Sequence, residues 1–388
     1  MAFDWLQASL AQRAEDGYLR TRHCQQYEKD AVVNIDGEHY LNFASNDYLG
    51  MRQHQGVLQA WVEGLAHFGG GSGASPLVTG YSQAHLALEA YLADKLQREA
   101  VLLFNSGFAA NQAICQALFA DGGQIIADKL MHASFLDGVM ASKASLSRFK
   151  HNDVAHADTL LNKSTETDKL LVSEGIFSMD GDGAPVEALS SLATKHNAWL
   201  MLDDAHAFGV TGEHGLGSAD AFQLSQTQLP VLMATFGKAI GTGGAFIAGS
   251  RLLIDYLINH ARHYIYSTAM PPAQAVATLQ SLTYCEEGEA RATLHENIAY
   301  FRHVAAQNGL DVMPSDSAIQ PVLIGEPQRA MAMSEAVRSR GIWVTAMRHP
   351  TVPKGTDRIR ITLSALHQKK DIDVLCDALM LSLSEVTP

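Results

Sequence analysis

Six short apolar runs, at 101–104, 124–127, 170–173, 199–202, 231–234 and 245–248, constrain the fold of this 388-residue chain more than any other feature. Each is too short for a core helix and apolar on both faces, the pattern of a strand covered on both sides. Helix-like segments lie between them, as at 109–119 and 186–196. Strand alternating with helix predicts an α/β fold with a mostly parallel, doubly wound sheet. In such sheets ligand groups gather beyond the carboxyl ends of the strands. Asp203, Ser178 and Lys238 each follow a candidate strand, which points to one shared site.

The pattern changes after Pro271-Pro272. Helical stretches at 290–307 and 328–340 alternate with apolar pieces at 320–324 and 343–345. Arg358-Ile359-Arg360-Ile361-Thr362 alternates charged and apolar residues, as a half-exposed strand does. A smaller α+β domain ending in a helix at 367–383 is expected. The division read from sequence is an N-terminal segment 1–45, a large domain 46–272 and a C-terminal domain 273–388, and the length suits about two domains.

With a formal net charge of -13, nucleic acid and anionic membrane are disfavoured as partners. No apolar run reaches membrane-spanning length, and the first residues, carrying Asp4, lack a secretory h-region. Cys24, Cys115, Cys285 and Cys376 are far apart, with neither a zinc nor a disulfide spacing; Cys115 reads as a core thiol. These features predict a reduced, cytoplasmic protein.

Lys238 closes Thr235-Phe236-Gly237-Lys238, and Asp203-Asp204-Ala205-His206 closes the run at 199–202. A lysine able to form a Schiff base and an aspartate able to hold a pyridinium nitrogen are the minimum for pyridoxal 5'-phosphate (PLP) chemistry. Gly237, Gly241, Gly243 and Gly244 would let a planar ring approach the backbone. Asp203 is read as the partner of the ring nitrogen, His206 as neighbour of its phenolic oxygen and Asp204 as structural, although spacing alone does not separate the two aspartates. Asn105 to Asn111 opens a helix, whose first N–H groups bind phosphate without a basic side chain. The glycine run 69–73 lacks the Gly-Lys-Ser/Thr ending of a nucleotide loop, which disfavours ATP. His132 could stack on a ring. The pairs His260/His263 and His151/His156 lack a third ligand at metal-site spacing and read as ordinary surface or core histidines.

Ser45-Asn46-Asp47-Tyr48-Leu49-Gly50, Ser106 to Asn111, Glu174 to Gly181, Asp203 to His206, Thr235 to Lys238, Tyr266 to Pro272 and Arg358 to Thr362 together resemble the α-oxoamine synthases, a family of PLP-dependent enzymes. The resemblance spans Trp5 to about Asp373. It implies a PLP-dependent transferase fold of type I and a homodimer with shared active sites. By position, Lys238 would be the Schiff-base lysine and then the base at the substrate Cα. Asp203, His206 and His132 would engage the ring, and Ser178 would line its pocket. Gly107, Phe108, Thr235 and, across a dimer interface, Ser267 or Thr268 would meet the phosphate. Arg20, Asn46, Thr351 and Arg360 would face substrate, Arg360 taking the amino-acid carboxylate bidentately. Gly80-Tyr81-Ser82 and Pro350-Thr351-Val352-Pro353 resemble the biotin-pathway members most, implying decarboxylative condensation of L-alanine with a pimeloyl thioester of coenzyme A or acyl-carrier protein. A glycine- or serine-using relative with another thioester would share the same catalytic residues. A purely binding protein of this fold is disfavoured, because the lysine, aspartate and histidines are all present.

Overall fold

The apolar runs become strands of one seven-stranded sheet in the computed structural model, which describes residues 2–386. In chain order these are β1 (Ala100–Phe104), β2 (Gln124–Asp128), β3 (Ser145–Phe149), β4 (Lys169–Glu174), β5 (Trp199–Asp203), β6 (Val231–Thr235) and β7 (Ala245–Gly249). Across the sheet the order is β1-β7-β6-β5-β4-β2-β3. β7 runs antiparallel to both of its neighbours, and the remaining pairings are parallel. The sheet is thus mostly parallel, as the alternation predicts. β3 escapes the sequence reading because it is the edge strand: its Ser-Leu-Ser-Arg-Phe buries only Phe149 fully, so it carries no apolar run.

Helix α1 (Gly107–Leu118) and helix α2 (Ala133–Met140) cover one part of this sheet. Ala110, Ile114 and Phe135 join Ile125, Val172 and Met201 in one buried cluster. Cys115 lies in it, fully buried, the core thiol expected from sequence. Burying side chains of this size stabilises by roughly 1.5–3 kcal/mol each, so the strand ends that carry the polar groups sit on a rigid base.

The chain divides into two compact units, Asn46–His295 and Met1–Ser45 with Glu296–Pro388. The sequence division differs at both ends. The helix Pro272–Glu287, assigned from sequence to the C-terminal domain, packs within the large unit against the helix Gln55–Phe68. A Cβ at Gly64 would stand 2.7 Å from the Ala273 Cα, so the helices meet backbone to backbone. Ser281 also donates to the Ile240 carbonyl (2.6 Å). Apolar periodicity shows that this helix is buried but not which partner buries it.

The first 45 residues are not a separate segment. Strands Gln25–Lys29, Val32–Ile35 and Glu38–Asn42 form a sheet with Ile342–Trp343. The turn aspartates Asp30 and Asp36 take φ near +53°, tolerated by Asp, and the strands between them are too short to read from sequence. A second correction concerns Asp357–Thr362. Its alternation suggested a half-exposed strand, yet all six residues are buried, because it is the central strand between Ile319–Gly325 and Thr345–Met347. Arg358 survives there by donating from Nε to the Thr356 carbonyl (2.9 Å) and from a terminal nitrogen to Thr356 Oγ1 (3.0 Å).

Candidate active site

The polar groups of the large unit collect where β4, β5 and β6 end. Glu174 and Asp203 are in register across β4 and β5, and Asp203 is in register with Met233 of β6. β6 ends at Thr235, whose hydroxyl donates to the Gly244 carbonyl (2.8 Å) and accepts the Gly237 N–H (3.3 Å). The turn closes when the Gly241 N–H donates to the Lys238 carbonyl (2.9 Å). Gly241 has φ +70°, and a Cβ there would press within 2.6 Å of the Met51 carbonyl carbon. Glycine is required at that point, and the turn fixes where half-buried Lys238 begins.

Asp203, 5% exposed, accepts from Asn111 Nδ2 on one oxygen (2.8 Å) and from the Ala205 N–H on the other (3.1 Å). Asn111 also donates to Ser134 Oγ (3.0 Å), which bonds His132 Nδ1 (2.8 Å). A continuous chain therefore links the carboxylate to the imidazole and orients both. Desolvation pulls the His132 pKa down; Asp203 opposes this and Lys238 adds to it. His206, also buried, bonds Tyr48 Oη through Nδ1 (2.6 Å).

The two aspartates now separate. Asp204 is fully buried and accepts from both the N–H and the hydroxyl of Ser218 (2.6 Å each). Burial raises its pKa to about 6, against those bonds. It anchors the loop after Gly217, whereas Asp203 belongs to the chain that reaches His132. Glu174 is the third carboxyl. Burial first, and then the charge of Asp203, hold its pKa well above the carboxylate range; Lys238 and the His132 and Ser178 N–H groups act the other way. Its Oε1 has no hydrogen-bond partner. The two buried carboxyls thus stand side by side at the ends of neighbouring strands, and burial disfavours the charged form of Glu174.

α1 begins just past β1. Ser106 caps it by accepting the Ala109 N–H (3.2 Å), which leaves the N–H groups of Gly107 and Phe108 in the first turn without intrahelical partners. Ser178 follows β4 at an intermediate depth. Thr268 gives its carbonyl to Asn105 Nδ2 (2.6 Å), so the 266–270 segment lies beside the approach to α1. Asn46 opens the large unit and accepts from Tyr48 Oη (3.3 Å). Arg20, Thr351 and Arg360 belong to the other unit; Arg20 and Thr351 are exposed, while Arg360 is 5% exposed on its central strand.

Sequence reasoning did not assign Asn111, Ser134, Tyr48 or Glu174 to the site. Asn111 had a signal, being a polar residue on the apolar face of α1. Glu174 had one also, as an acidic residue closing a buried strand in register with the Asp203 run. Tyr48 and Ser134 carried none, since each acts through a histidine distant in sequence or hidden in a turn.

This donor set suits PLP. A lysine and an aspartate anchored by an asparagine follow neighbouring strands, β6 and β5, the pair a Schiff base and a pyridinium nitrogen need. A helix start offers N–H groups for a phosphate, and a Cβ built on Gly237 would meet only Thr235 Oγ1, at 3.8 Å. Among the described residues no group of His, Cys, Asp and Glu is arranged to hold a metal ion, and none of the helices is long and apolar enough to cross a membrane.

Comparison with known proteins gives the same answer. The family model for aminotransferase class I and II matches residues 38–379. The 8-amino-7-oxononanoate synthase of Saccharophagus degradans is 46% identical over 98% of this chain and 97% of its own length. That of Aeromonas hydrophila is 46% identical over 96% and 94%. Among solved structures, serine palmitoyltransferase from S. paucimobilis with bound PLP–myriocin superposes at a TM-score of 0.92 with 28% identity, covering 99% of this chain and 98% of that one. The 8-amino-7-oxononanoate synthase of Francisella tularensis gives 0.78 with 27% identity, over 89% and 98%. On this family match and this identity over nearly the full length, the chain belongs to the class I and II aminotransferase family, among its 8-amino-7-oxononanoate synthases, PLP-dependent acyltransferases of biotin biosynthesis.

Proposed function

We propose that the chain condenses L-alanine with a pimeloyl thioester, releasing CO2 and the free thiol and leaving 8-amino-7-oxononanoate. The observation that carries this reading is buried Asp203, held by Asn111 Nδ2 (2.8 Å) at the end of β5, with Lys238 in the turn after the neighbouring β6. PLP, when bound, supplies the electron sink that makes the amino-acid Cα acidic and lets the β-keto acid lose CO2. Lys238 would hold the aldehyde, and its Nζ would be the base that takes the Cα proton and returns one. Asp203, fixed by Asn111, would hold the ring nitrogen, His132 would lie against the ring, and His206, oriented by Tyr48, would meet the phenolic oxygen. Gly107, Phe108 and Thr235 would hold the phosphate and Ser178 would line the pocket; Arg20, Asn46, Thr351 and Arg360 are the residues proposed to meet substrate, Arg360 through the amino-acid carboxylate.

Selectivity for alanine rests on pocket shape, since a methyl group is worth about 1–3 kcal/mol. Condensation with pimeloyl thioester is expected to favour alanine over glycine by at least about tenfold. Equal or better turnover of glycine would move the chain to a glycine-using branch.

The working unit in this reading is a homodimer, with Ser267 or Thr268 of each copy reaching its neighbour's phosphate, in the cytoplasm. Support comes from exposed apolar side chains in and beside that segment: Tyr266 is 71% exposed, Phe108 at the start of α1 44%, and Val78 73%, in the turn just past Ala74, whose carbonyl accepts the Ala269 N–H (3.0 Å). Light scattering is expected to give twice the chain mass, and a fully active monomer would refute the arrangement.

A further inference from the structure

His151, an ordinary histidine by its spacing, lies in the large unit between two carboxylates from different segments. Its Nδ1 bonds Asp128 at the end of β2 (3.1 Å), and its Nε2 bonds Asp182 in the loop after β4 (2.8 Å). Asp128 is fully buried. It also accepts the Leu130 N–H (2.8 Å), and its carbonyl takes the Met131 N–H (3.1 Å), so it shapes the turn that delivers His132. Asp182 belongs to the loop that carries Ser178: its carbonyl accepts the Phe177 N–H (2.9 Å), and the Phe177 carbonyl accepts the Gly181 N–H (2.8 Å). The Phe177 ring stands edge-on to the imidazole, with centroids 4.4 Å apart and planes at 90°. Asn152 repeats the bridge, its N–H to Asp128 (2.9 Å) and its Nδ2 to Asp182 (2.9 Å) and the Gly183 carbonyl (3.1 Å). The neighbouring His156 is engaged elsewhere, accepting the Lys150 N–H (2.9 Å).

We infer that His151 is a positioning residue for the cofactor pocket, a clamp whose two ring nitrogens tie the turn bearing His132 to the loop bearing Ser178. With a carboxylate on each side, both nitrogens act as donors and the ring is an imidazolium. Burial works against that charge, but the bonds to Asp128 and Asp182 raise the pKa to about 10. Ser178 and His132 lie on different segments, one after β4 and the other after β2, and neither segment has a covalent reason to hold its distance from the other. The clamp supplies that constraint without touching substrate or cofactor.

The inference rests on PLP being the ligand of the site, which titration of the unaltered protein with PLP tests by itself. His151→Ala is expected to weaken PLP binding by about tenfold or more and to alter the visible circular dichroism of the bound cofactor. In the cofactor-free protein, amide hydrogen exchange at 177–183 should quicken. Asp182→Ala, which also releases Asn152 Nδ2, should lose at least as much, and the double variant should lose little more than Asp182→Ala alone, because the His151 connection is already broken there. His151→Gln, which keeps a single donor, should fall between. Unchanged PLP affinity and exchange in His151→Ala, or losses that simply add in the double variant, would overturn the clamp even where the unaltered protein binds PLP as expected.

Discussion

Lys238→Ala is expected to abolish turnover while leaving the fold in place. The side chain starts from a turn whose bonds are made by other atoms: Thr235 Oγ1 to Gly244, Gly237 N–H to Thr235, and Gly241 N–H to the Lys238 carbonyl. Alanine preserves all of them. What it removes is the amine proposed to hold the aldehyde and move the Cα proton. Lys129 and Lys150 also follow strands of this sheet, but it is Lys238 whose charge acts on both His132 and Glu174. Thermal unfolding should therefore move little while activity disappears. In the unaltered protein, borohydride reduction and peptide mapping should place the pyridoxyl group on Lys238. A label on a different lysine would end the assignment.

Asp203→Asn is expected to keep PLP bound and to slow Cα deprotonation by roughly 100- to 10,000-fold, the range typical of losing a group that governs proton transfer. Asparagine keeps the size of the side chain and one acceptor oxygen, enough for one of the two donors, the Asn111 amide or the Ala205 N–H. It removes the carboxyl that Asn111 holds, while burial and then Asp203 keep the neighbouring Glu174 well above the carboxylate range in the unaltered protein. Without an anion against it, the ring nitrogen loses its proton and draws electrons poorly. Exchange of the alanine Cα proton with deuterated solvent reads this step directly. Exchange at the unaltered rate would show that Asp203 does not hold the ring nitrogen.

Much of the fold and the site is legible in the amino-acid sequence. The buried strands announce themselves as apolar runs, and the residues just beyond β4, β5 and β6 stand out because doubly wound sheets place ligand groups there. Three features are hidden. The edge strand Ser145–Phe149 buries only its last residue, so no apolar signal marks it. The helix Pro272–Glu287 advertises a buried face, but only the Gly64–Ala273 contact says that the large unit buries it. The choice between Asp203 and Asp204 stays open in sequence because they are adjacent; it turns on Asn111 and Ser218, which are 92 and 14 residues from their partners. His151 illustrates the same limit. A histidine is classified by what faces its two nitrogens, and here both faces come from distant segments.

The family model that matches this chain is named for amino transfer, whereas the proposed reaction is decarboxylative acyl transfer. Carboxyl-labelled L-alanine incubated with the PLP-loaded protein and a pimeloyl thioester separates the two. Decarboxylative condensation predicts that the label leaves as CO2, one molecule for each thiol released and each 8-amino-7-oxononanoate formed. Label retained in pyruvate, with no thiol set free, would contradict it.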